Sequence, residues 1–211
     1  MNKNITSQTL SRLPLYFNYL ISLPESRKSG HISATAIAEA LGLNDVQVRK
    51  DLASVSNGGR PKVGYPTSEL IGDIGKFLGF ANHDGVIVVG MGNFGRAMLE
   101  NRSFADYGFE VVGGFDCDEK LVCTEINGKP VRNVSELGSF CRERNIQIGI
   151  ITVPEAAAQE VCNLMTGAGI KYILNFAPVH LSAPAGVAVH NENISLTLAM
   201  LARKTEVGDI K

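Results

Sequence analysis

From residue 85 onward, short unbroken apolar runs alternate with segments whose apolar residues recur every three or four positions. The runs are "GVIVVG", "FEVVGGFD", "IQIGIITVP" and "IKYILNF"; the periodic segments between them are "FGRAMLENRSF", "SELGSFCRER" and "EAAAQEVCNLMTGAG". Continuous Val/Ile runs between helices predict strands buried on both faces, hence a doubly wound α/β domain around a parallel sheet. "VAVHN" adds a candidate last strand, and "NISLTLAMLARK" predicts a final helix with apolar residues on most of its faces. Such a helix belongs in an interior, either that of its own domain or one shared with a partner subunit.

The first eighty residues follow a different rhythm. "TLSRLPLYFNYLISL" has helical apolar periodicity, and Pro14 places its first turn nearby. In "HISATAIAEALGLNDVQVRKDLASV", Ser33 can cap a helix carrying Ile37, Ala38 and Leu41, which Gly42 ends. Asn44 or Asp45 can cap a second helix with Val48, Leu52 and Val55 on one face. Two short helices joined by a glycine turn form a helix-turn-helix. The glycine-rich "SNGGRPKVGY" suits a β-hairpin wing, "TSELIGDIGKFLGF" a further helix, and "ANHDG" a hinge.

Charge sharpens the division. Residues 1–80 carry a net +3 and residues 81–211 a net −4. With Val48, Leu52 and Val55 turned inward, Gln47, Arg49, Lys50 and Ser54 are left to meet a partner. These residue types suit a recognition helix in a DNA major groove, where Gln pairs with adenine, Arg with guanine, and Lys with phosphate. The wing adds Arg60 and Lys62, so that with Asp51 subtracted a net +3 falls within fourteen residues. The same pattern also fits a small helical bundle with a solvated basic face.

The segment "VIVVGMGNFGRAML" runs a strand into Gly90-Met91-Gly92-Asn93-Phe94-Gly95 and then into a helix. In such a loop the first glycine makes the tight turn, the second lets backbone N–H groups approach a pyrophosphate, and the third lets helix and strand pack closely. Asp116 ends the next strand, twenty-one residues after Gly95. An acid there accepts hydrogen bonds from ribose hydroxyls and repels a 2′-phosphate, which favours NAD(H) over NADP(H).

Little points to catalysis. There is no Tyr-x-x-x-Lys and no cysteine–histidine–acid set for a catalytic zinc. His180 and His190 are the candidates for an acid or base, and some twenty residues after the last predicted strand are too few for a substrate lobe. The expectation is a binding protein, not an enzyme. Cys117, Cys123, Cys141 and Cys162 form no C-x-x-C and have no histidines at zinc spacing, so they are expected to be reduced thiols of a cytoplasmic protein, with no metal. Cys117, beside Asp116, is the candidate redox-sensitive thiol. Neither a signal peptide nor a membrane span is apparent.

"HISATAIAEALGLNDVQVRKDLASV", "VVGMGNFGRAM", "GFDCDEKLVCTEINGKPV", "IGIITVPEAAAQEVCNLMTGAGIKYILNFAPVHL" and "VHNENISLTL" together resemble the Rex family of redox-sensing transcriptional repressors, nearly end to end. The resemblance implies a winged-helix DNA-binding domain (1–80), a Rossmann NAD(H)-binding domain (81–191) and a domain-swapped C-terminal dimerisation helix (192–211). It further implies a homodimer on a palindromic double-stranded DNA operator, released by NADH and not by NAD⁺. It places Thr152-Val153-Pro154 beside the cofactor. Two departures stand out. "GRPKVGY" puts Pro61 where the family's wing has arginine and Lys62 where it has glycine. Where relatives often tie the redox response to an arginine, a tyrosine and an aspartate, this chain has Asn18, Asn101 and Asn193. Two other readings remain: a small NAD-dependent oxidoreductase, and a regulator of the same fold sensing another adenine ligand such as CoA.

Overall fold

The computed structural model describes residues 5–80 and 84–207. Its contacts divide into two compact units, Met1–Asn82 and His83–Lys211. Residues 81–83 of the expected hinge lie outside the described residues, whereas Asp84 and Gly85 belong to the first strand of the second unit.

The first unit begins with α1 (Ser7–Ile21), capped by Thr6, whose hydroxyl accepts the Thr9 N–H. Leu13, Tyr16, Phe17 and Leu20 form its buried stripe at helical spacing. Pro14 sits mid-helix, not near the first turn. It removes the N–H that would reach Leu10, a residue half exposed to water, so the lost bond falls on the solvent side. The short α2 (Glu25–Lys28) and β1 (His31–Ile32) lead to α3 (Ala34–Leu41), capped by Ser33 and closed by Gly42 at φ 64°. Asn44 Oδ1 accepts the Gln47 N–H at 3.2 Å and starts α4 (Asp45–Val55), which buries Val48 and Leu52. Together α3 and α4 are the helix-turn-helix.

The wing differs from the expected hairpin. Its pairing is one antiparallel bridge, Arg60 with Gly64, closed by reciprocal N–H to carbonyl bonds of 2.9 Å. The tip is Arg60-Pro61-Lys62-Val63, with the Val63 N–H on the Arg60 carbonyl and Lys62 at φ 63°. Proline second and a left-handed residue third are the marks of a type II turn. Gly58 and Gly59 therefore lie in the ascending arm. After the tip, β2 (Tyr65–Pro66) pairs antiparallel with β1, whose residues His31 and Ile32 stand 35 and 33 positions before their partners Pro66 and Tyr65, before α5 (Thr67–Leu78) closes the unit.

In the second unit the elements run β3 (Asp84–Val89), α6 (Asn93–Glu100), β4 (Phe109–Asp116), β5 (Glu125–Ile126), β6 (Lys129–Asn133), α7 (Leu137–Arg144), β7 (Ile148–Ile151), α8 (Glu155–Gly167), β8 (Tyr172–Asn175), β9 (Ala188–Asn191) and α9 (Ile194–Val207). Among the described residues they form a sheet of order β5-β6-β4-β3-β7-β8-β9. Leaving β5 aside, this is the doubly wound dinucleotide-binding order, with the switch point between β3 and β7. Ile87 and Val89 face one core, with Phe115 and Met165; Val86 and Val88 face the other, with Met91 and Leu99.

Two sequence expectations need correction here. The sheet is not wholly parallel, because β5 pairs antiparallel with β6 across Asn127-Gly128, both at positive φ (51° and 76°). The helix expected to run through "FGRAMLENRSF" stops at Glu100, and a 3-10 turn covers Ser103–Tyr107. At the far end, α9 exposes Ile194, Leu196, Leu198, Met200 and Leu201.

Candidate functional site

On the first unit, Gln47, Arg49 and Lys50 are exposed along α4, as are Arg60 and Lys62 at the wing tip; Ser54 is half-buried. Arg49, Arg60 and Lys62 line one cavity of about 540 Å³, with Ser33, Thr35 and Tyr65 on its other walls. Gln47, Lys50 and Ser54 lie off it. Arg49 pairs with Asp45 at 3.1 Å, an exposed i,i+4 contact of little energetic weight. Ser54 Oγ donates to the Asp51 carbonyl at 2.6 Å, so its hydroxyl hydrogen is engaged within its own helix.

Asp51 does not dilute the basic surface. It is 2% exposed, and its carboxylate accepts from Thr9 Oγ1 (3.0 Å), Arg12 Nε and Nη2 (2.7 and 3.1 Å), Tyr16 Oη (2.8 Å) and Gln47 Nε2 (2.9 Å). Burial alone would raise its pKa, but these hydrogen bonds outweigh it and leave the pKa lowered. Burial and the bond to Asp51 push Tyr16 up to about 12. Thr9, Arg12 and Tyr16 escape a sequence reading because they stand 35 to 42 residues from Asp51. The one local hint is their i, i+3, i+7 spacing on a single helix face.

On the second unit the glycine loop leaves β3 and enters α6. Gly90 takes φ 100°, and a Cβ on Gly95 would collide with the Gly90 carbonyl oxygen. A Cβ on Gly92 would meet nothing within 4 Å, and no side chain caps α6 there. That open position at a helix N-terminus is the cradle a diphosphate requires. Met91 contributes backbone only: its side chain is fully buried, and its N–H donates to Asp116 Oδ2 at 2.6 Å. Asp116 Oδ1 accepts the Asp118 N–H, so the acid at the end of β4 already leans over the loop. Thr152 Oγ1 lies within hydrogen-bonding distance of the Gly90 and Val89 carbonyls (2.7 and 3.0 Å), stitching β7 to the loop. Asn93 and Phe94 open α6, and Phe94 stacks edge-on against Phe176 at 4.8 Å. Phe94, Thr152 and Val153 line a cavity of about 310 Å³ with Phe176, Pro178 and Glu192, while Pro154 precedes α8 outside it. The donors and shape fit a dinucleotide.

The comparisons with known proteins agree with this layout. Residues 4–53 match the family model "Putative DNA-binding protein N-terminus", and residues 82–179 match "CoA binding domain". The redox-sensing transcriptional repressor Rex of Porphyromonas gingivalis is 37% identical over 95% of this chain and 92% of its own. A crystal structure of RSP in complex with β-NAD⁺ and operator DNA superposes with a TM-score of 0.87 at 30% identity, over 97% of this chain and 94% of that one. RSP in complex with β-NADH gives 0.82 at the same identity, over 97% and 95%.

The chain belongs to the Rex family. Its departures from the Rex pattern now have positions. Lys62 holds the left-handed backbone that the wing's glycine would take, and so projects a cation from the tip at some conformational cost. Asn18 lies on α1. Asn101 Oδ1 accepts from the Ser103 N–H and hydroxyl. Asn193 accepts the Leu196 N–H at 2.9 Å, capping α9, and lines the 310 Å³ cavity. His190 Nε2 lies 2.8 Å from Glu192, and His180 Nδ1 lies 3.3 Å from Asn191 Nδ2. Cys117 and Cys123 are exposed; Cys141 and Cys162 are buried, and burial raises the Cys141 thiol to about 11. Among the described residues no cluster of His, Cys, Asp or Glu could hold a metal ion, and no helix is long and apolar enough to cross a membrane.

Proposed function

We propose that this chain is a homodimeric, cytoplasmic transcriptional repressor that reads the NADH/NAD⁺ ratio and leaves a palindromic operator when NADH binds. The observation that carries the cofactor half is the empty Cβ position at Gly92, set at the switch point with Asp116 on the neighbouring strand. In this reading Gly90 to Gly95 hold the diphosphate through backbone N–H groups. Asp116 exchanges its bond to the Met91 N–H for ribose hydroxyls. Phe94 and Thr152-Val153-Pro154 border the nicotinamide end. The cofactor supplies the differential affinity between a DNA-competent and a closed dimer, a coupling of about 1–3 kcal/mol in typical cases.

Gln47, Arg49, Lys50 and Ser54 meet the major groove, and Arg60 and Lys62 the flanking backbone. Two such helices about 34 Å apart match one turn of duplex. The apolar side chains on α9 are covered by a second copy, which exchanges this helix with the first. No turnover is part of this reading, in which His180 and His190 belong to the polar network around Asn191 and Glu192.

The match to a CoA-binding family model favours a second reading, in which CoA occupies the cleft. Its ribose phosphate would approach the Asp116 carboxylate, and that repulsion weighs against it. Isothermal titration with NADH, NAD⁺ and CoA, with and without a palindromic duplex, separates the two. NADH is expected to bind and to weaken the grip on the duplex. Tight CoA binding without an NADH response overturns the redox assignment, and hydride transfer from a hydroxy acid to NAD⁺, or from NADH to an aldehyde, overturns the repressor.

A further inference from the structure

Gln47 is the third residue of α4, in the turn of a recognition helix that comes closest to base edges. Its amide is not free to choose which end it presents. Nε2 donates to Asp51 Oδ1, an oxygen that also takes Thr9 Oγ1 and Arg12 Nη2, while Oδ2 takes Arg12 Nε and Tyr16 Oη. A carboxylate beside a guanidinium offers only lone pairs, so only the NH₂ end of an amide can face it. The carbonyl end is repelled, and no described residue donates to Gln47 Oε1. An unconstrained glutamine can flip to offer either a donor or an acceptor outward; this one cannot without breaking a charge-assisted bond in a buried network.

We infer that Gln47 is a specificity-determining residue that presents a fixed acceptor to the major groove. On the strand it faces, it selects a base with an exocyclic amino group, adenine N6 or cytosine N4, over the keto bases guanine and thymine. Asp51 is the positioning residue that fixes the amide, and Arg12 holds Asp51. The inference rests on the DNA-binding reading above and adds to it the hydrogen-bond polarity of one contact.

The test is selection of a randomised duplex library by the full-length protein, followed by affinities for the selected duplex and its single-position variants. The wild type is expected to favour A or C over G or T about tenfold at one position per half-site. Gln47→Met keeps length and helix propensity but removes the amide. It should flatten that position alone, leaving the remaining base preferences, the NADH affinity and the salt dependence as in the wild type. Asp51→Asn replaces the obligate acceptor and should flatten the same position, a change that a merely structural role for Asp51 would not produce. Should Asp51→Asn fail to fold, Gln47→Met, altered only at an exposed side chain, decides the matter. Unchanged preferences in Gln47→Met, or a flattened position that had favoured G or T, overturn the inference while the operator reading stands. A wild type that retains no duplex overturns both.

Discussion

In the first unit the groups that face outward are side chains on α4 and the wing tip, and the residue that steadies one of them is a buried carboxylate with partners on another helix. In the second unit the outward groups are backbone N–H groups where the loop enters α6, left open because Gly92 has no side chain, while Gly90 and Gly95 serve the turn and the close packing behind it. A site of side chains can change its preference by substitution while the fold persists. A site of backbone is inseparable from the fold that bends it. Pro61 and Lys62 vary on the first kind of surface; the glycine spacing keeps the dinucleotide-binding pattern on the second.

That contrast can be broken from either side. Gly95→Ala should have the largest effect, about 3 kcal/mol or more, because its methyl collides with the Gly90 carbonyl, which cannot retreat without unpicking the loop. Thermal unfolding should show the loss, and calorimetry should show no NADH binding. Asp51→Ala should cost about 3 kcal/mol, since Arg12 and Tyr16 lose a largely buried acceptor. Duplex binding should fall while NADH binding to the second unit persists, and equal loss of both would erase the distinction between the two sites. Asp116→Ala should weaken NADH by about 1.5–3 kcal/mol and relax discrimination against NADPH, as titration with each nucleotide would reveal.

The smallest effect is the pH response of the first unit. Asp51 has a lowered pKa, so its contribution is present above the ordinary aspartate value and is lost as pH falls through its folded value. Tyr16 is raised to about 12, so its contribution is complete below the ordinary tyrosine value near 10 and is lost as pH rises through about 12. Unfolding of the wild type followed across pH should show both limbs, and Asp51→Asn should flatten the acid one.

What the sequence revealed follows how local each determinant is. Ser33, Gly42 and Asn44 act within four residues of themselves, and the helix-turn-helix was legible from them. The glycine loop declared itself because its three positions are constrained by one turn and one helix start. Asp51 read as an unfavourable charge because Thr9, Arg12 and Tyr16 are remote in the chain. The wing's pairing strand was hidden for a similar reason, as β1 and β2 are two residues each and lie either side of the helix-turn-helix. The Asn127-Gly128 hairpin was readable from that dipeptide alone, but its short strand of two residues carries no apolar run to draw notice. Phe176 and Glu192 join the 310 Å³ cavity only through sheet order, which brings β8 and β9 round to β7.

The last helix bears on how any measurement on this protein is interpreted. Five large apolar side chains of α9 stand more than half exposed on a single copy. If a second copy covers them, mass action enters every equilibrium: diluting the protein lowers its melting temperature and shifts its apparent ligand affinities without any change in a contact. Constants for this chain then have meaning only beside the protein concentration at which they were obtained.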